Sequence, residues 1–164
     1  MKHGRLIFYA VLGVIAAVTL YSCYLSPKAQ VKRAVYGARD AVEAQDMAAI
    51  EALIADDFRD PFGFTKEQWL PVIRVSFGEW KDIKLRFLDL QIEIKNGRAT
   101  AKFTVNGEAT RAESLGGDKA PDREAYTFRD ITLQLDQRGG EWKVTSWTNI
   151  NSQTWQVPMP EVNP

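Results

Sequence analysis

Hydrophobic positions fall along this chain in three different rhythms. From Leu6 to Leu25 the sequence LIFYAVLGVIAAVTLYSCYL runs for twenty residues without a charge. At a rise of about 1.5 Å per residue, a helix of that length matches a bilayer hydrocarbon core of about 30 Å. Val31, Val35, Ala38 and Val42 then recur at helical spacing, predicting an amphipathic helix that ends near Ala44. A second helix starts after Asp46, a good N-cap, and presents Met47, Ile50, Leu53 and Ile54. Thr65 and Gln68 have capping-box spacing ahead of Trp69, Leu70, Ile73 and Phe77, predicting a third helix that Pro71 should kink or interrupt.

Beyond Phe77 the period changes from 3.6 to 2. Ile83, Leu85 and Phe87 alternate, and so do Leu88, Leu90, Ile92 and Ile94, one residue out of phase. This predicts a long strand with a bulge at Phe87/Leu88. Asn96-Gly97 signals a hairpin, Ala99 to Val105 a returning strand, Gly116-Gly117 to Pro121 a loop, and Ala125 to Leu135 the next strand. Arg138-Gly139-Gly140 turns into a last strand from Trp142 to about Ile150. Three helices followed by a four-stranded antiparallel meander is an α+β layout in which a curved sheet wraps the helices. The expected division is an anchor or signal sequence over 1–27, an α+β domain over 28–151 and an extended tail over 152–164 that contains Pro158, Pro160 and Pro164.

Lys2 and Arg5 lead the apolar run, and Tyr9, Tyr21 and Tyr24 lie toward its ends, where amphipathic rings favour the interface. A basic start followed by an apolar run also fits a cleaved signal peptide, but no convincing A-x-A site follows. Leu20-Tyr21-Ser22-Cys23 resembles a lipoprotein lipobox, with Tyr21 departing from its usual small or aliphatic residue, so Cys23 is a candidate lipidation site. The favoured expectation is an uncleaved single span with the domain on the extracytoplasmic side. Ser26-Pro27, an N-cap and a first-turn proline, starts the next helix almost without a linker and holds the domain near the membrane.

Composition narrows the chemistry. Beyond Lys2 and Arg5 the chain carries 19 basic and 21 acidic residues, which is no electrostatic footprint for nucleic acid. The only histidine is His3 and the only cysteine Cys23, so the domain has neither imidazole nor thiol. A zinc site of the His/Cys type, a Ser-His-Asp triad and a Cys-His pair are excluded within it, and no glycine-rich nucleotide cradle is present. No cofactor is implied.

The element order, Ala44-Gln45-Asp46 leading into Ala52-Leu53-Ile54-Ala55-Asp56-Asp57, the segment Asp60-Pro61-Phe62-Gly63 and the closing Gly140-Glu141-Trp142-Lys143-Val144 resemble the nuclear transport factor 2-like superfamily over roughly residues 29–151. That cone-shaped α+β fold includes polyketide-cyclase-like proteins and ketosteroid isomerases. The resemblance implies a general-base aspartate at Asp60 and a second, protonated aspartate at Asp130. The tyrosine that completes the isomerase oxyanion hole would fall on Ala38. Tyr36, about 140° from Val31 around the helix, is expected to face water or headgroups.

Other readings of the same residues stand beside these. Asp60 before Pro61 is ordinary turn composition. Asp130 shares a face with Tyr126 and Phe128 if no bulge intervenes, and otherwise suits a salt bridge with a neighbouring arginine. Trp69 and Trp142 sit in apolar periodic runs and read as core. Trp147, on the face opposite Trp142 by simple alternation, sits with Thr145 and Asn149. Trp69, Tyr126, Phe128, Trp147 and Asn149 are the candidate ligand-pocket residues. The sequence thus leads to a membrane-tethered, non-enzymatic module for a small apolar ligand or a protein partner, with a homodimer as a further expectation. The alternative is an isomerase or cyclase-like enzyme using Asp60 and Asp130.

Overall fold

Short oxygen-bearing side chains start the helices. The computed structural model describes residues 26–112 and 123–148. Within them Ser26 caps α1 (Pro27–Glu43) through a hydrogen bond from the Ala29 amide, and Asp46 caps α2 (Met47–Leu53) through one from Ala49. A cap of this kind contributes about 1 kcal/mol. In α3 (Lys66–Glu79), Gln68 reaches back to accept from the Thr65 amide at 2.9 Å. Of the two outcomes expected of Pro71, interruption does not occur, since the helix runs through it to Glu79. Pro71 lies in the second turn, where its missing N–H removes a single bond.

The strands β1 (Trp80–Lys95), β2 (Arg98–Arg111), β3 (Arg123–Arg138) and β4 (Glu141–Thr148) form one antiparallel sheet in sequential order. Asn96 and Gly97 take positive φ of 52° and 75°, the backbone that a two-residue hairpin needs to match strand twist. The free edge of β4 is covered by the segment after α2. Ile54 bridges Val144, and the amides of Ala55 and Arg59 donate to the carbonyls of Val144 and Thr145.

Bulges bend this sheet, and three of them share one device. Asp82 and Ile83 together oppose Ala109, Asp89 and Leu90 oppose Phe103, and Arg129 and Asp130 oppose Thr104. In each pair the aspartate holds positive φ, 51°, 55° and 56° respectively. Aspartate tolerates that region because its short side chain can bond locally. The bulge expected at Phe87/Leu88 therefore falls two residues later, at Asp89/Leu90. It lies across β2 from the Asp130 bulge, so the two mark a bend line through Phe103 and Thr104.

The concave face carries the core. Ala99, Ala101, Phe103 and Val105 from β2, and Ile131, Leu133 and Leu135 from β3, meet Val31 and Val35 of α1, Ile50 of α2 and Phe58. Val31, Val35, Phe58 and Leu135 are at most 1% exposed. Full burial of such a side chain contributes about 1.5–3 kcal/mol. Trp142, as its periodicity predicts, is also core, although its indole N–H has no hydrogen-bond partner among the described residues.

Among the described residues no helix is long and apolar enough to cross a membrane. The apolar run 6–25, Cys23, the loop Gly116 to Pro121, Asn149 and the tail 152–164 all lie outside those residues.

Candidate functional site

Asp60 follows the stretch that covers β4 and is 6% exposed. Its Oδ1 accepts from the amides of Phe62 at 2.9 Å and Phe64 at 2.8 Å, and its Oδ2 accepts from the Trp69 indole N–H at 3.0 Å. The backbone closes the same turn, Gly63 N–H donating to Asp60 O and Asp60 N–H to Phe64 O. Gly63 sits at φ 88°, a conformation that glycine adopts without strain. Both sequence readings of Asp60 thus meet in one place, because it organises a turn and is also a buried carboxylate against aromatic rings. Its oxygens are engaged by three donors that belong to its own loop and to α3.

Around it the rings are in contact. Phe58 and Trp147 have centroids 4.4 Å apart, Trp69 and Trp147 meet edge to face at 5.1 Å, and Phe64 and Trp69 do so at 6.3 Å. Trp147 is a correction. Simple alternation puts it opposite Trp142, but β4 gains a residue between Val144 and Ser146, so that Trp147 pairs with Leu133 and Val144 with Leu135. The extra residue, Thr145, returns Trp147 to the concave side.

Asp130 is the second correction to a candidate role. The bulge at Arg129 and Asp130 breaks the alternation that would have aligned it with Tyr126 and Phe128. Those two rings stay half-buried on the concave side with centroids 6.4 Å apart, while Asp130 is exposed and its carboxylate lies 3.0 Å from Lys102 Nζ. A surface ion pair, here with a lysine, is what the structure shows, and the two candidate carboxylates do not converge.

Tyr126 belongs to a separate cluster. Its ring meets Trp80 edge to face at 5.7 Å, and its hydroxyl donates to the Glu124 carboxylate, which also receives Arg111 Nε at 3.2 Å. Burial, followed by the Glu124 carboxylate, pushes the phenol up to about 12. The Arg111 guanidinium lies 5.0 Å over the Trp80 ring. Among the described residues no ring contact joins this cluster to Trp69 or Trp147. The five pocket candidates therefore separate into Trp69 with Trp147, Tyr126 with Phe128, and Asn149 outside the described residues.

Tyr36 lies off the buried stripe of α1 and lines an open hollow. It is half-buried, with its ring 5.9 Å from Phe87, and is flanked by Lys32 at 5.8 Å and Arg39 at 4.9 Å. Phe58, Phe64 and Trp80 join these clusters without having been singled out from the sequence. Phe58 had one signal, being a lone apolar residue in Asp56-Asp57-Phe58-Arg59-Asp60. Among the described residues no three His, Cys, Asp or Glu side chains are grouped to hold a metal ion. Two open hollows, of about 500 and 450 Å³, are lined by neither candidate aspartate and by none of Trp69, Tyr126, Phe128 and Trp147.

No protein-family model matches the chain, and no curated protein does. Solved structures do. A Kribbella flavida protein is similar at 16% identity, over 74% of this chain and 87% of that one, with a TM-score of 0.64. A putative dehydratase of the NTF2-like family from Streptomyces avermitilis is similar at 14% identity, over 72% and 90%, with a TM-score of 0.60. A Bdellovibrio bacteriovorus protein is 19% identical over 72% of this chain, which spans only 39% of that longer protein, with a TM-score of 0.55. Likeness at these identities shows the fold: three helices on a curved antiparallel sheet in the NTF2-like arrangement.

Proposed function

We propose that the chain is a membrane-tethered, non-enzymatic module that binds a small apolar ligand or a protein partner on the extracytoplasmic side. The observation that carries this reading is the fate of the two carboxylates. Asp60 is engaged by the Phe62 and Phe64 amides and the Trp69 indole, and Asp130 lies outside the cone against Lys102. With Ala38 where the isomerase tyrosine would fall, the acid, base and oxyanion donor of that chemistry are not assembled around one point. Half-buried aromatic surfaces remain, which suit an apolar ligand.

The test uses the full chain purified from membranes. Native mass spectrometry should find an apolar molecule that stays bound, is lost in Trp147→Ala, and is recovered unaltered after incubation. Recovery of a chemically altered molecule would instead favour an enzyme, as would an alteration that stops in Asp60→Asn while binding persists. The enzymatic alternative draws its support from the buried Asp60 beside Trp69 and from the likeness in fold to a putative dehydratase.

The tether rests on the uncharged run from Leu6 to Leu25. It expects the chain to stay with membranes through alkaline carbonate extraction. Intact mass then separates an uncleaved start from a diacylglyceryl-modified Cys23, and protease added outside spheroplasts should reach the domain. Sedimentation of the full chain in detergent tests the proposed homodimer.

A further inference from the structure

All 21 acidic residues lie at Asp40 or beyond, whereas four basic residues of the domain, Lys28, Lys32, Arg33 and Arg39, precede it, and Lys2 and Arg5 lie ahead of the apolar run. The rest of the chain is left with 15 basic against 21 acidic residues, so positive charge is concentrated at the start of the domain and opposed by a negative remainder. On α1, Lys28, Lys32, Tyr36 and Arg39 fall within about 80° of one another at 100° per residue, forming one stripe beside the buried Val31 and Val35. Lys28, Lys32 and Tyr36 of that stripe line the larger hollow, about 500 Å³, between α1 and β1, whereas Arg39 lies beyond it and pairs with Asp40 at 2.6 Å.

The hollow has two kinds of wall. Lys28, Lys32 and Tyr36 form its α1 side, and half-buried Phe87, Leu90 and Ile92 form its floor on β1. Among the described residues neither lysine has an acidic partner, in contrast to the ion pairs of Lys66, Lys95, Arg98, Lys102, Arg138 and Lys143. Among the described residues Asp89, on its bulge, is the one acidic residue lining the hollow and leaves it cationic. The Ala29 amide is already taken by the Ser26 hydroxyl, so the positive character comes from side chains. Cations above an apolar floor fit an amphiphile with an anionic head better than a free anion.

We propose that this hollow receives the head group of an anionic phospholipid, with the glycerol and first acyl carbons against Phe87, Leu90 and Ile92, docking α1 on the bilayer surface. The proposal rests on the reading of residues 6–25 as a membrane span, which delivers the chain to the hollow's edge at Ser26. Basic groups close to an anionic bilayer attract it additively, each strengthening association about fivefold.

The experiment compares the full chain in nanodiscs of phosphatidylcholine alone with nanodiscs that also contain phosphatidylglycerol, read by amide hydrogen exchange. Phosphatidylglycerol should slow exchange across residues 28–36 and 85–92. Lys28→Gln with Lys32→Gln should weaken that docking about twenty-five-fold, and Phe87→Ala should weaken it with the charges intact. Equal exchange in the two lipids overturns the proposal, as does full protection by inorganic phosphate in phosphatidylcholine discs, which would mark a simple anion site. Release of the chain by alkaline carbonate would instead remove the membrane reading on which it rests.

Discussion

Asp60 and Asp130 came from the same resemblance, and the fold treats them in opposite ways. Asp60 is 6% exposed, accepts three hydrogen bonds and stands against Trp69. The Asp130 side chain is 63% exposed, ends a bulge at φ 56° and meets Lys102 across the outer face. One carboxylate holds a loop to a helix, whereas the other occupies a position that needs a residue tolerant of left-handed backbone. Identity at a motif position therefore does not transmit a role unless the local register also transmits the direction of the side chain.

The largest effect separating the two should come from Asp60→Ala. It strands two amides and an indole N–H in a buried loop, and unfolding by denaturant should show a loss of about 3 kcal/mol. Asp60→Asn keeps acceptors for the amides but turns an NH₂ toward the Trp69 indole. It should cost about 2 kcal/mol, and a cost near zero would mean that the indole bond is not made in solution. Trp69→Phe removes that donor and part of the ring contact with Trp147, and about 1–2 kcal/mol is expected in the same measurement.

The strand that carries Asp130 offers an internal control. Tyr126, four residues earlier and on the concave side, is pushed from an ordinary 10.0 to about 12 by burial and by Glu124. Because the folded state keeps the phenol protonated while the unfolded chain ionises it, this stabilisation is fully present below pH 10. It is lost as pH rises through about 12. Ultraviolet titration of the protein against Tyr126→Phe should reveal one late-ionising phenol in the difference. A difference curve centred near 10 would show that Tyr126 is as solvated as a free tyrosine.

How much of this was legible depends on what a register slip does to the apolar pattern. The helices, the Asn96-Gly97 hairpin and the Gly139-Gly140 turn follow from periodicity and turn chemistry, and the structure has them. The β1 bulge was visible because apolar residues stand on both sides of it, at odd numbers through Phe87 and even numbers from Leu90. The same signal exists in β3, where Tyr126 and Phe128 give way to Ile131, Leu133 and Leu135, and in β4, where Trp142 and Val144 give way to Trp147. In those strands the inserted residues, Asp130 and Thr145, are polar beside a polar neighbour, so the slip leaves no apolar doublet to mark it. The misplacement of Trp147 from sequence and the choice left open for Asp130 have this one cause. The turn at Asp60 was legible from Asp-Pro and Gly63, but the Trp69 indole that engages its second oxygen comes from α3 through tertiary packing, which no local pattern reports.

The smallest effect is the most discriminating. Asp130→Asn removes the charge that faces Lys102 but keeps a side chain that tolerates positive φ, so backbone and ion pair are tested separately. With side chains 54% and 63% exposed, the Lys102 and Asp130 pair is a surface contact, and such contacts contribute between nothing and about 1 kcal/mol. Unfolding of Asp130→Asn should therefore fall within about 0.5 kcal/mol of the parent, and a double-mutant cycle with Lys102→Gln should give a coupling of similar size. Any retained ligand should bind unchanged, because the carboxylate points away from the cone. If Asp130→Asn instead cost as much as Asp60→Asn, or released a ligand that Asp60→Asn retained, the outward carboxylate would have to turn inward in solution. The contrast between the two aspartates would then collapse, and the enzymatic reading would regain its second acid.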